Sequence, residues 1–160
     1  MYNIYMLKNK FISFFIFGLV TFSASFVGGL ATMSHKEPWY SSLTKSGFNP
    51  PDWVFAPVWT TLYLFMTIAI WHAWHKDYRN INLVFLYMIH LLFNTTWSVV
   101  FFVLHNIFFA LINLIILIIL ITLLIFKFKK ISKISYILMI PYLVWCCYAL
   151  FLNSTLLYLN

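Results

Sequence analysis

The sequence predicts an all-α, polytopic membrane protein: a bundle of five transmembrane helices over about residues 11–33, 53–74, 81–103, 107–126 and 134–157. Three observations carry this. The 160 residues are 64% apolar and 8% charged, where a soluble domain is roughly a quarter charged, so polar side chains are too few to cover a water-facing globule. Each of the five runs is free of Asp, Glu, Lys and Arg and long enough to cross about 30 Å of hydrocarbon. The charged residues fall in the connections between runs. Residues 1–160 read as one domain, with 34–52 as an extramembrane loop.

The first run, 11–33, follows Lys8 and Lys10 and is apolar or small throughout. A signal peptide is the rival reading, but the run exceeds the usual apolar core of about 7–15 residues. Ala24/Gly28 and Ser25/Gly29 are small-xxx-small pairs that let a neighbouring helix come close, and packing within the chain is preferred to a dimer seam. The loop that follows holds His35, Lys36, Glu37 and Lys45. Asp52, after Pro50-Pro51, stands where a helix N-cap belongs. In the second run Pro57 should bend the helix in its second turn. The turn 75–80 is charged, and His105-Asn106 separates the third and fourth runs. The fourth run is almost pure Leu, Ile and Phe and is expected to be the most lipid-exposed. The segment 127–133 reads as a basic loop, and the fifth run carries Pro141.

Five crossings put the termini on opposite sides. Eight Lys and Arg fall with the N-terminal tail, the 75–80 turn and the 127–133 segment, against Lys36 and Lys45 on the other side. That bias predicts a cytoplasmic N-terminus and a large loop outside. It also accounts for the net charge of +7, so nucleic acid is not a partner and the lipid bilayer is. Cys146 and Cys147 are adjacent in an apolar run, which gives no disulfide framework and no metal spacing.

Intramembrane polar groups are costly, so they mark candidate sites. Phe55, Trp59, Tyr63 and Met66 recur on one face of the second helix. Asn94, Trp97, Ser98 and Phe101 do so on the third, and Trp145, Ala149 and Asn153 on the fifth, with Tyr142 three residues earlier. If these faces converge they enclose an aromatic cavity with few hydrogen-bonding groups, suited to a flat apolar ligand. The bland alternative is helix packing, in which an Asn bonds a neighbouring helix. His72 and His75 are three apart with no acid beside them, and His90 reads as a neutral, hydrogen-bonded group. No Ser/His/Asp set is recognisable and the three acids lie in predicted loops, which disfavours a hydrolase or a carrier built on a membrane carboxylate.

Trp39-Tyr40, Phe48-Asn49-Pro50-Pro51-Asp52-Trp53-Val54-Phe55, Pro57-Val58-Trp59-Thr60, Leu62-Tyr63, Phe93-Asn94-Thr95-Thr96-Trp97-Ser98 and Pro141-Tyr142-Leu143-Val144-Trp145 with Ala149 and Asn153 follow in order along nearly the whole chain. The pattern resembles the TspO/MBR family, the tryptophan-rich sensory proteins and the mitochondrial translocator protein. The resemblance implies a pocket for porphyrin-type tetrapyrroles, haem among them, and for benzodiazepine-type ligands. The matching lining positions are Trp59 and Tyr63, then Asn94, Trp97, Ser98 and Phe101, then Trp145 and Ala149. Trp39 and Tyr40 match the loop that closes the pocket, and Lys36 or Lys45 is placed to meet the anionic arms of a macrocycle.

Transport or sensing is the implied role. The enzymatic alternative is light- or oxygen-dependent porphyrin breakdown with Trp59 and Trp145 as electron donors. A third reading is a structural or partner-binding membrane protein. The family resemblance also implies a homodimer, although residues 81–103 lack the glycine pair that some members carry there. Sterol binding in the mitochondrial members goes with a C-terminal Tyr–Lys/Arg pattern that is absent here. Only the reversed forms Lys36…Tyr40…Leu43 and Lys133…Tyr136…Leu138 occur.

Overall fold

The computed structural model describes residues 9–77 and 80–160. Lys8 and Arg79, two of the eight basic residues counted toward the N-terminal side, lie outside them. Five long helices form the bundle: α1 (Lys10–His35), α2 (Phe55–Lys76), α3 (Ile81–Ser98), α4 (Ile107–Ile131) and α5 (Lys133–Leu159). All five are long and apolar enough to cross a membrane. Four start on a polar side chain that accepts from the first-turn amides: Asn9 for α1, Asn80 for α3, Asn106 for α4 and Ser132 for α5. Such caps satisfy donors that the helix itself leaves open.

Asp52 does not cap α2. It opens a 3-10 turn, Asp52–Val54, with no side-chain cap bond, and its carboxylate pairs with Lys36 instead. The α-helix therefore begins at Phe55 and Pro57 falls in its first turn, where its missing N–H costs little. Trp39–Ser42 form a one-turn helix within the first loop. The basic segment is not a loop. Lys127, Lys129 and Lys130 lie inside α4, and Ser132 alone separates α4 from α5. No Gly or Pro breaks that stretch, and lysines at a helix C-terminus complement its dipole.

The helices neighbour one another in the cyclic order α1–α2–α5–α4–α3, so α2 and α3 face each other across the middle with little direct packing. The expectation that α4 is the most lipid-exposed helix is overturned. A third of its apolar membrane-length stretch is buried, against 22% for α1 and for α5. Leu114, Leu117, Ile121, Leu124 and Phe128 make one side of α4 core, while Phe108, Ile115, Ile119 and Phe126 face outward. A helix that is apolar all round carries no sequence stripe to show which side is buried.

Ala24 and Gly28 turn toward α3, as the packing reading expects. Thr95 donates to the Ala24 carbonyl at 3.3 Å, and a Cβ on Gly28 would stand 3.3 Å from Ser98 Oγ. Gly29 meets open space. After Ser98, α3 continues as a π-helical turn, Val99–Val103.

The ends of the bundle are distinct. Trp71 donates its indole N–H to the Lys10 carbonyl at 3.0 Å and His72 bonds Ser132, so the start of α1, the end of α2 and the α4–α5 junction share one end. The first loop and Asn160 share the other, with the Thr44 N–H donating to Asn160 Oδ1 at 2.9 Å and Asn160 Nδ2 donating to the Thr44 carbonyl at 3.2 Å.

Candidate functional site

The middle of the bundle holds a polar chain inside an aromatic shell. The Tyr63 hydroxyl on α2 donates to Asn94 Oδ1 on α3 at 2.5 Å, and Asn94 Nδ2 donates to the Tyr142 hydroxyl on α5 at 2.9 Å. All three residues are buried. One amide on α3 thus ties α2 and α5 across the middle of the bundle, in a region where an unmatched polar group is expensive. Trp59 lies against both phenols, its ring centroid 5.6 Å from Tyr63 and 6.2 Å from Tyr142.

A second aromatic group sits one turn further along α3, toward the loop. Trp97 stacks on Phe101 at 5.1 Å. The π turn brings Phe102 in beside Phe101, with centroids 4.8 Å apart. Trp39 meets Phe101 edge-on at 5.2 Å and stacks on His105 at 4.5 Å, and Tyr40 packs on Phe101 and Phe102. The Trp97 indole N–H is buried with no acceptor among the described residues.

The first loop closes this end as a lid, held on several sides. Lys36 pairs with Asp52 at the entry to α2. The Tyr148 hydroxyl on α5 donates to the Phe48 carbonyl at 2.6 Å, and Phe48 packs on Phe151. Asn49 Nδ2 donates to the Tyr40 hydroxyl at 3.0 Å, and the Lys45 ammonium lies 4.4 Å above the Tyr40 ring. Burial first, and the Asp52 carboxylate second, raise the Tyr40 phenol above its ordinary pKa, so it stays a neutral hydrogen-bonding group.

Of the residues singled out in the sequence, Trp59, Tyr63 and Asn94 meet at the centre, and Trp39, Tyr40, Trp97 and Phe101 meet beneath the lid. Trp145 is half-buried on the lid side of α5, with Phe55 at 6.0 Å and Tyr148 at 5.7 Å as its ring neighbours. Ala149 is half-buried against the core. Ser98 lies apart, against Gly28 of α1. Asn153 donates to the Ile107 carbonyl at 3.0 Å and so ties α5 to the start of α4. His90 is buried between Tyr87 and Tyr142 and bonds the Tyr87 carbonyl through Nδ1. His72 and His75 bond the hydroxyls of Ser132 and Ser13.

Two residues join the site beyond the lining positions that the resemblance implies. Tyr142, read from the sequence as part of the fifth helix's aromatic face, carries the third part of the polar chain. His105, which floors Trp39, takes a left-handed backbone with φ 50° between two helices, and nothing local distinguishes it from a turn residue.

Comparison with known proteins agrees with this architecture. The model of the TspO/MBR family matches residues 16–159. The chain is 36% identical over 142 residues to the tryptophan-rich protein TspO of Chlorobaculum tepidum, covering 86% of this chain and 89% of that one. It is 34% identical to the protein of the same name from Archaeoglobus fulgidus, covering 89% and 93%. It is 28% identical to the translocator protein of Bos taurus, covering 86% and 83%.

Proposed function

This chain belongs to the TspO/MBR family, and from that premise we propose that it binds porphyrin-type tetrapyrroles between its helices, for transport or sensing. One observation carries the proposal. Rings from α2 and α5 at the centre adjoin rings from α3 and the lid, with Trp97 packed against both groups, and the polar groups among them are few, one of them the unmatched Trp97 N–H. Offset stacking on indole and phenol rings suits a flat apolar disc, and a sparse set of donors fixes its orientation. The rings pack on one another in the closed form, so the ligand enters as the lid lifts and Trp39 and Trp97 part. Lys45 on the lid then meets the carboxylate arms. The orientation that goes with this reading has the N-terminal end in the cytoplasm and the lid outside, following the basic bias.

Titration of the detergent-purified chain with protoporphyrin, followed by quenching of Trp fluorescence, tests the reading. Trp59→Leu and Trp145→Leu should each weaken binding by about 1–2 kcal/mol, roughly tenfold in Kd. The loss should persist at high salt, where the Lys45 contribution is screened. Parent-like affinity in both variants would reduce these rings to packing elements.

A further inference from the structure

The end of the bundle away from the lid holds a cleft of about 390 Å³ lined by Lys10, Trp71, His72, His75 and Lys76. Its walls are tied in place. Trp71 is held by the Lys10 carbonyl, and Phe14 meets its ring edge-on at 5.6 Å. The Ser13 hydroxyl donates to the Lys10 carbonyl at 3.1 Å, so its oxygen accepts from His75 Nε2 at 2.8 Å. His72 Nδ1 pairs with Ser132 Oγ at 2.8 Å, and that oxygen also accepts from the Ser135 N–H. Three helices thus fix two imidazoles and an indole in a cleft that Lys10 and Lys76 also line. Lys127, Lys129, Lys130 and Lys133 lie at the same end. Asp77 is the one acid of the chain placed there, and its carboxylate already accepts from Asn80 Nδ2 at 3.1 Å.

We propose that this cleft is a second binding site, separate from the aromatic one, and that it takes a phosphate group. Lysine ammoniums are compact point charges suited to phosphate oxygens. A basic pocket between helices at a membrane boundary is the usual seat of an anionic headgroup. The volume lies near the small end of the range for ligand pockets, about 300–1,000 Å³. Phe11, Ile12 and Phe15 are exposed on α1 beside Lys10, an apolar track for acyl chains if the phosphate belongs to a lipid. A soluble phosphate ester offers the same oxyanion without the chains.

The test is calorimetric titration of the delipidated full chain in nonionic detergent with three probes: short-chain phosphatidylglycerol, short-chain phosphatidylcholine and inorganic phosphate. Phosphatidylglycerol should bind saturably, about tenfold or more tighter than phosphatidylcholine. Lys10→Gln/Lys76→Gln should weaken it about tenfold, while Lys127→Gln/Lys130→Gln, which removes equal charge, should change it by less than about twofold. Lys10→Arg/Lys76→Arg should keep binding and shows that the fold tolerates change there. The single variants Lys10→Gln and Lys76→Gln, each losing about threefold, carry the test if the pair does not fold. Inorganic phosphate matching phosphatidylglycerol and sharing its dependence on Lys10 and Lys76 would identify a soluble phosphate as the source. Equal weakening by the two lysine pairs, or no saturable binding of any probe, would overturn the site.

Discussion

Replacing Asn94 by leucine removes the one side chain that bridges α2, α3 and α5, and its cost follows from the geometry. Two buried hydrogen bonds are lost, to Tyr63 and to Tyr142. Measured within membranes, such bonds average about 0.6 kcal/mol each, a floor near 1 kcal/mol. The Tyr63 hydroxyl also loses its Asn94 partner while staying buried, and a stranded group adds about 1–3 kcal/mol, whereas the Tyr142 hydroxyl keeps Cys146 within hydrogen-bonding reach. The expected destabilisation is about 2–4 kcal/mol, read as an earlier midpoint in a denaturing-detergent titration of the purified protein. The companion is the triple variant Tyr63→Phe/Asn94→Leu/Tyr142→Phe. It removes every polar atom of the chain at similar volume and should recover to within about 1 kcal/mol of the parent, because stranding rather than bond loss dominates the cost. A single variant within about 0.5 kcal/mol of the parent, or a triple variant less stable than the single, would refute this account of the centre.

Ala149→Phe should leave the fold intact and lower protoporphyrin affinity about tenfold in the fluorescence titration, since the added ring takes volume on the lid side of α5. Gly28→Leu should destabilise by about 1–3 kcal/mol through overpacking on Ser98, whereas Gly29→Leu, facing open space, should stay within about 0.5 kcal/mol in the same unfolding assay. Reporters fused after Asn160 and within residues 75–80 should report opposite sides of the membrane, the latter cytoplasmic; reporters on one side would break the five-crossing topology.

The spans were readable because hydropathy acts along the chain and needs no partner. Asn94 stood out for the same reason, an amide among Leu and Phe. What stayed hidden depends on neighbours in space. The cyclic helix order sets Tyr142 against Asn94 and turns one side of α4 inward, and a uniformly apolar run carries no mark of either. Asp52 sits in a good cap position by local rules, yet Lys36, sixteen residues away, claims its carboxylate. Charge makes the basic segment 127–133 read as a loop, but lysine is a good helix former and nothing there stops the helix before Ser132. The phosphate-type cleft is assembled from α1, α2 and the α4–α5 junction, so no single stretch announces it.

The π turn at Val99–Val103 amounts to one residue inserted into a helix without breaking it. Its bonds skip a residue, with the Leu104 N–H reaching the Val99 carbonyl at 3.0 Å. One residue corresponds to about 100° of rotation in an α-helix. Deleting any one of these five would restore ordinary winding and swing His105 and Asn106 about a quarter turn around the axis. Trp39 would lose its floor, and the Asn106 cap of α4 would point elsewhere. A relative whose sequence is shorter by one residue at this point would therefore be expected to seat its lid differently, even with every tryptophan in place. The count of residues in this turn, more than their kind, sets the angle between the closed end of the site and the rest of the bundle.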